Sequence, residues 1–192
     1  MPAPPPTGPL VTRGPLFTDL RALGVRPGET LLLRTSLSAL GRVCGGAVSV
    51  VQSLLDALGP NGTLTVPTQT GGNSDPVRWR RRPVPEEWWA EIRASMPAYD
   101  PAVTPGDGMG AIAETERRRP GTLRSAHPQT SFAALGPRAA AITDGHATDC
   151  SLGEHSRALP RGRRRRVRPG VAGEAPVPSA MGPARRARAA RP

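Results

Sequence analysis

The sequence predicts an α/β fold built on a central sheet, with a strand–helix–strand unit near the N-terminus. Three observations lead there. Thr30-Leu31-Leu32-Leu33 is a short continuous apolar run and reads as a buried strand. Residues 47–58 place Val48, Val51, Leu54, Leu55 and Leu58 on one stripe at helical spacing. Thr63-Leu64-Thr65-Val66 is a second strand-like run. Gly59-Pro60 ends the helix between them, and Asn61-Gly62 turns the chain into the second strand. Two strands joined this way are expected to lie parallel, with a right-handed crossover.

The remaining elements follow in chain order. Residues 1–9 are Pro-rich, and disorder is expected there. Residues 15–23 read as a helix, with Leu16, Leu20 and Leu23 on one face and Gly24 as the stop. Arg26-Pro27-Gly28 reads as a turn. Pro85-Glu86-Glu87 opens a helix bearing Trp88, Trp89 and Ile92, its two acids favouring the helix start. Residues 109–118 form a weaker helix halted before Pro120. Residues 131–135 read as a strand, and residues 137–143 as a helix with proline in its first turn.

The charge is unevenly distributed. All 26 basic residues of the 192-residue chain are arginine. Residues 157–192 hold 11 arginines against the single acid Glu174, a net +10, while residues 1–156 are near neutrality at +1. Arg, Ala, Pro and Gly supply 29 of those last 36 residues, without an aromatic or an apolar period. Such a segment cannot bury enough apolar surface to offset its ordering entropy, so a disordered tail is expected. The three segments expected are thus 1–9, a folded body over 10–156, and the tail over 157–192. The distribution argues against a uniformly basic nucleic-acid-binding domain. The tail offers phosphate contacts but no stacking platform, which predicts non-specific polyanion binding and no specific nucleic-acid partner.

No apolar run approaches the roughly 18 residues that span a bilayer, and the Pro-rich start lacks the apolar stretch of a signal peptide. Cys44 and Cys150 form neither a CxxC pair nor a disulfide framework. A reduced, cytoplasmic compartment is expected, with each cysteine a small buried apolar residue.

Open α/β sheets bind ligands outside the carboxyl ends of their strands. Two polar, glycine-bearing loops leave the predicted strands at that edge, residues 34–46 and 68–75, and a site is expected between them. Gly45-Gly46 precedes the helix at Ala47, where backbone N–H groups and the helix dipole suit an anion; an ordinary glycine turn is the plainer explanation. Asn73, Ser74 and Asp75 suit a polar cationic ligand or an Asx-turn. Arg124-Ser125-Ala126-His127-Pro128 offers a base or an anion clamp, or a turn before the strand at Ser131. His146 and His155 have no partners at metal-ligand spacing and are expected at the surface; no metal is expected. Arg78, Arg80, Arg81 and Arg82 around Trp79 read as a solvated basic loop.

Several long stretches resemble the aminoglycoside 3-N-acetyltransferases. They are LLLRTSLSALGRVCGGAVSVVQSLLDALGPNGTLTVPTQTGGNSDPVRW, PVPEEWWAEIRASMPAYDPAVTP, GMGAI and LRSAHPQTSFAALG, in order from about Leu16 to Ser156. The resemblance implies transfer of acetyl from acetyl-coenzyme A to the 3-amino group of 2-deoxystreptamine antibiotics such as gentamicin or kanamycin. It implies that Ser36, Leu37, Gly45 and Gly46 line the coenzyme, with Arg124, Ser125 and His127 nearby, and that Asn73 and Asp75 meet the cationic acceptor. Acetylation would remove one positive charge from the drug and weaken its hold on RNA phosphates.

This sequence departs from the family pattern at definite places. Arg34 stands where the family usually has His. Glu116-Arg117-Arg118-Arg119 stands where apolar or aromatic residues are usual, and VRWRRRP is more basic than the norm. After a stretch like Leu152-Gly153-Glu154-His155-Ser156 the family continues with an apolar strand and a His-Leu-Ala-Glu segment bearing the catalytic histidine. Here Arg-rich sequence follows Ser156. The expectation is a fold incomplete at its C-terminus, a tail read out of frame from a GC-rich gene, and very slow acetyl transfer or an inactive remnant. His127 is then the remaining candidate base, with turn support or ligand contact as its other role.

Overall fold

The computed structural model describes residues 8–80 and 82–147. The expectations for residues 1–7, Arg81, Cys150, His155, the 152–156 stretch and the Arg-rich tail lie outside the described residues. The element order is β1 (Leu10–Val11), α1 (Arg13–Ala22), β2 (Thr30–Leu32), β3 (Arg42–Val43), α2 (Gly46–Leu58), β4 (Thr63–Pro67), α3 (Trp89–Ser95), α4 (Gly110–Arg117), β5 (Leu123–Arg124), β6 (Phe132–Leu135) and α5 (Ala139–Thr143). Short 3-10 turns at Leu37–Leu40, Gly71–Asn73, Pro76–Arg78 and Glu86–Trp88 punctuate the loops. The result is a mixed α/β fold with a mixed sheet.

The main sheet has the order β2-β4-β6-β5. β2 and β4 are parallel neighbours, with Thr30 opposite Thr63 and Leu32 opposite Thr65, and α2 is the connecting helix of this βαβ unit. β6 runs antiparallel to β4, and β5 antiparallel to β6. A separate parallel pair joins β1 to β3. Every residue of β4 is buried, which explains its continuous apolar and β-branched sequence.

α2 carries the largest share of the core. Val51, Leu54, Ala57 and Leu58 are each at most 1% exposed, and α1 packs against them through Leu16 and Leu20. Each fully buried Val or Leu stabilises by about 1.5–3 kcal/mol. Two polar contacts fix the α1–α2 approach. The Ser53 hydroxyl donates to the Arg13 carbonyl at 3.1 Å, and the Arg13 guanidinium grips both oxygens of Asp56 at 2.7 and 2.8 Å. That ion pair is half exposed, so it orients the helices more than it stabilises them.

The structure corrects several expectations. Thr30–Leu32 is an outer strand rather than a buried one, and Leu32 is 40% exposed because it projects from the face opposite to Leu31 and Leu33, which pack on the core. Val48 is off the buried stripe: in the first turn of α2 it is half exposed, and Val50 takes the place in the core. The helix expected from Pro85 divides into the 3-10 turn Glu86–Trp88 and α3, and α3 buries no residue. The last helix begins at Ala139, with Arg138 as its cap, two residues after the proline. Cys44 is exposed, not buried, because it sits at the end of the outlying β1–β3 pair.

Gly136 shows how closely β6 and β4 are joined. Its φ is +131°, a region that L side chains avoid. A Cβ there would overlap the Gly62 carbonyl oxygen and come within 2.8 Å of Thr63 Cα. Gly136→Ala is therefore expected to destabilise the fold by at least about 1–3 kcal/mol. Gly14→Ala, in α1 with nothing within 4 Å of the new Cβ, is expected to be neutral or to gain about 0.5–1 kcal/mol. Urea unfolding followed by far-UV circular dichroism separates the two; equal midpoints would contradict the packing described.

Candidate functional site

Strand directions gather the loops. β2, β4 and β5 all point the same way, because β6 opposes both β4 and β5. The chain therefore leaves each of them at one sheet edge. The 33–46 loop, the 68–75 loop and the 125–131 turn all lie there, as the strand-end argument expects. A fourth segment joins them: the Asp107 N–H donates to the Gln69 carbonyl at 2.7 Å.

A cavity of about 120 Å³ opens at this edge. Its floor is Leu33, Val66 and Pro67, and its far wall is Met109, Ile112 and Ala113 at the start of α4. Arg34 and Thr35 line the near side, where Arg34 is exposed. Immediately beyond, the Ser36 and Ser38 hydroxyls share a hydrogen bond of 2.7 Å, and Leu37 begins a 3-10 turn. Gly45 and Gly46 follow with φ of +75° and +57°, both left-handed, as the chain enters α2. The space over Gly46 is open, since a Cβ there would meet nothing within 4 Å.

The second loop spends its charge internally. Asp75 accepts from Arg93 Nε and Nη2 at 2.9 and 3.1 Å, and caps the 3-10 turn Pro76–Arg78 through the Val77 N–H. The bonds from Arg93, then from Val77, hold the Asp75 carboxyl below its ordinary range. Asn73 is half-buried two residues before it.

Arg124 is a clamp. Its guanidinium donates to Thr68 Oγ1, Ser131 Oγ and the carbonyls of Thr68, Pro101 and Thr104, and it lies 5.1 Å from the Tyr99 ring centre. Burial lowers its pKa from the ordinary value, but five oxygens retain the charge. The adjacent Ser125 hydroxyl accepts from the Phe132 N–H at 3.0 Å. His127 Nδ1 accepts from the N–H groups of Gln129 and Thr130 at 3.1 and 3.0 Å. That geometry puts its proton on Nε2 and makes the ring a support for the 125–131 turn.

His146 is a correction. It is 1% exposed rather than at the surface, with Nδ1 at 3.0 Å from Ser125 Oγ and its ring 4.9 Å from His127 and 5.8 Å from Phe132. Sequence reasoning also missed Tyr99, whose hydroxyl donates to the Ser125 carbonyl at 2.9 Å. Neither residue has a local signal, since both act on a segment at least 21 positions away.

Glu114 braces the C-terminal turn of α4 and links it only weakly to the segment before it. It binds Arg117 at 2.7 and 2.8 Å and Arg118 at 2.7 Å, and accepts weakly from the Gly106 N–H at 3.4 Å. The Arg117 bonds above all lower its pKa to about 2.

The mixed α/β sheet thus ends its parallel strands β2 and β4 at an edge that carries a cavity, the arrangement in which open α/β sheets place candidate ligand sites. The family profile described as "Aminoglycoside 3-N-acetyltransferase" matches residues 32–160, and the chain belongs to that family. It is 46% identical over 146 residues to the SPbeta prophage-derived aminoglycoside N(3')-acetyltransferase-like protein YokD of Bacillus subtilis, covering 76% of this chain and 54% of that protein. The crystal structure of YokD superposes with a TM-score of 0.71 at 45% identity over 73% of this chain and 52% of the other. Aminoglycoside N(3)-acetyltransferase VIII of Streptomyces fradiae is 42% identical, over 76% of this chain and 50% of its own. A structure of AAC-IIIb with CoASH gives a TM-score of 0.61 at 34% identity, over 72% of this chain and 50% of that one. The chain thus spans about half the length of the curated relatives it matches.

Arg124→Lys keeps the charge but cannot reach five oxygens in a planar fork. It is expected to cost more than about 2 kcal/mol in urea unfolding, and an unchanged midpoint would show the clamp to be dispensable. Glu114 adds a pH signature. Its folded pKa of about 2 lies below the ordinary 4.5, so its stabilisation is present above 4.5 and is lost as pH falls through about 2. Acid titration of Glu114→Gln should lack up to about 3 kcal/mol of that loss; parallel acid profiles for the two proteins would count against it.

Proposed function

We propose that this chain supplies the coenzyme- and acceptor-binding edge of an aminoglycoside 3-N-acetyltransferase, acting in the cytoplasm on acetyl-coenzyme A and a 2-deoxystreptamine antibiotic. The observation that carries the reading is the cavity between the ends of β2 and β4, floored by Leu33, Val66 and Pro67, on the sheet edge where the 33–46 loop ends at the open Gly46. The cavity suits a short acyl thioester in size and lining. The unfilled space over Gly46 at a helix start suits an anionic group of the coenzyme. Ser36 and Leu37, which follow Arg34 and Thr35 in the same loop, would line the pantetheine, with Arg124, Ser125 and His127 shaping the far end of the same edge. Asn73 and Asp75 would face the cationic drug, Asp75 through exchange of its Arg93 partner.

Acetyl-coenzyme A supplies the acetyl group, and its thiolate leaves when the amine attacks the thioester carbon. The protonated amine must first lose one proton, here to solvent, and the second proton that its nitrogen gives up as the amide forms is taken by the departing thiolate. His127 and His146 are both at most 2% exposed, so the proposal gives the described residues binding and orienting roles rather than proton transfer. We also propose that residues 10–156 form the acetyltransferase segment, and that the +10 charge of residues 157–192 adds non-specific polyanion binding.

Calorimetric titration with coenzyme A tests the site through a matched pair. Gly46→Asn and Gly46→Asp tolerate the left-handed backbone equally and differ in charge. Gly46→Asp is expected to bind about fivefold more weakly than Gly46→Asn; equal affinities would remove the anion from this place. Thiol release with gentamicin is expected to run about 10²–10⁴-fold below that of a full-length family member assayed on the same drug. Comparable turnover would require a proton acceptor among the residues given binding roles here.

A further inference from the structure

α4 buries one face, made of Ile112, Ala113 and Glu116, at 2%, 6% and 0% exposure. The first two also form the far wall of the edge cavity. The third is a carboxylic acid whose two oxygens are buried and meet no hydrogen-bond partner among the described residues. We propose that Glu116 makes the packing of α4 protonation-dependent: the buried face tolerates the neutral acid, and loss of its proton releases α4 and with it one wall of the cavity.

Among the described residues, the surroundings of Glu116 offer a carboxylate almost nothing. α4 packs against α2, β4, β6 and the 3-10 turn Leu37–Leu40. β4, β6 and the 37–40 turn contain no charged residue, and the one in α2, Asp56, is held by Arg13. On α4 itself, Glu114 is committed to Arg117 and Arg118. Arg119, just past the helix, is the cation whose field reaches Glu116, and it is outweighed. Burial pushes the acid up to about 8 despite that favourable charge. An unpaired carboxylate in such a wall is far costlier than the neutral acid.

The sign follows from linkage. The folded pKa of about 8 lies above the ordinary 4.5, so the packed state keeps a proton that the released state gives up. The packed state is fully favoured below 4.5 and loses ground as pH rises from there to about 8, by about tenfold per pH unit in the opening equilibrium. Above about 8 both states are ionised and the dependence flattens.

Hydrogen exchange on the full 192-residue chain, corrected for intrinsic rates, tests this between about pH 5.5 and about pH 7.5. The opening equilibrium of the α4 amides should rise about tenfold per pH unit, while the α2 amides stay protected. Glu116→Gln and the apolar Glu116→Met should remove that slope; Glu116→Met keeps the comparison available if the buried amide unfolds the protein. Contributions from other titrating groups are common to all three proteins. Equal slopes in the parent chain and both variants would overturn the proposal. So would a parallel rise in α2 and α4, which would mean global unfolding rather than release of α4.

Discussion

Strand β4 shares its backbone hydrogen bonds with β2 on one side and β6 on the other, and none of its residues reaches solvent. A strand in that position must be paired along both edges, because a buried unpaired amide or carbonyl is expensive. That requirement sets the rest of the molecule. It places α2 over the crossover and brings Gly136 against Gly62 and Thr63. It also aligns the ends of β2, β4 and β5 so that their loops meet at one edge.

At that edge, polar side chains mostly hold loops to one another. Arg124 ties the 68–75 loop to the 101–104 segment and to Ser131, and Asp75 is closed by Arg93. His127 braces its own turn, and His146 is folded in behind it. The places that remain open are Gly46 at the entry to α2, the Ser36–Ser38 pair and the cavity, where apolar side chains face Arg34 and Thr35. A ligand recognised there meets N–H groups, hydroxyls and methyls on a frame already stiffened by the hydrogen bonds of Arg124 and Arg93.

The βαβ unit was legible because its signals are long and local. Thirteen residues of α2 repeat their apolar period, and glycine punctuates both ends of the helix. β1, β3 and β5 were not legible, since two residues carry no period. The strand at 132–135 was visible, but its antiparallel pairing to β4 was not, because register belongs to two distant segments. The same holds at the site. Residues 36, 37, 45 and 46 and the 124–127 cluster were singled out from loop position and family resemblance. Their bonding was not, and it turns Arg124 from an open anion contact into a clamp. His146 and Glu116 are buried against the grain of their composition, and only tertiary packing decides that.

The segment 79–89 holds all three tryptophans, and α3 beyond it buries none of its residues. Trp88 is 55% exposed, while Trp79 and Trp89 are half-buried and anchored locally to Ser74 and Arg93. The core around α2 and β4 contains no indole. Intrinsic fluorescence of this protein is thus a spectroscopic reporter of one outlying loop. Its emission would follow the loosening of that loop and the approach of a quencher to it, and would stay silent through rearrangements of the core. An optical transition recorded that way and one recorded on backbone ellipticity measure different events, and their divergence would map where the loop's stability separates from that of the sheet.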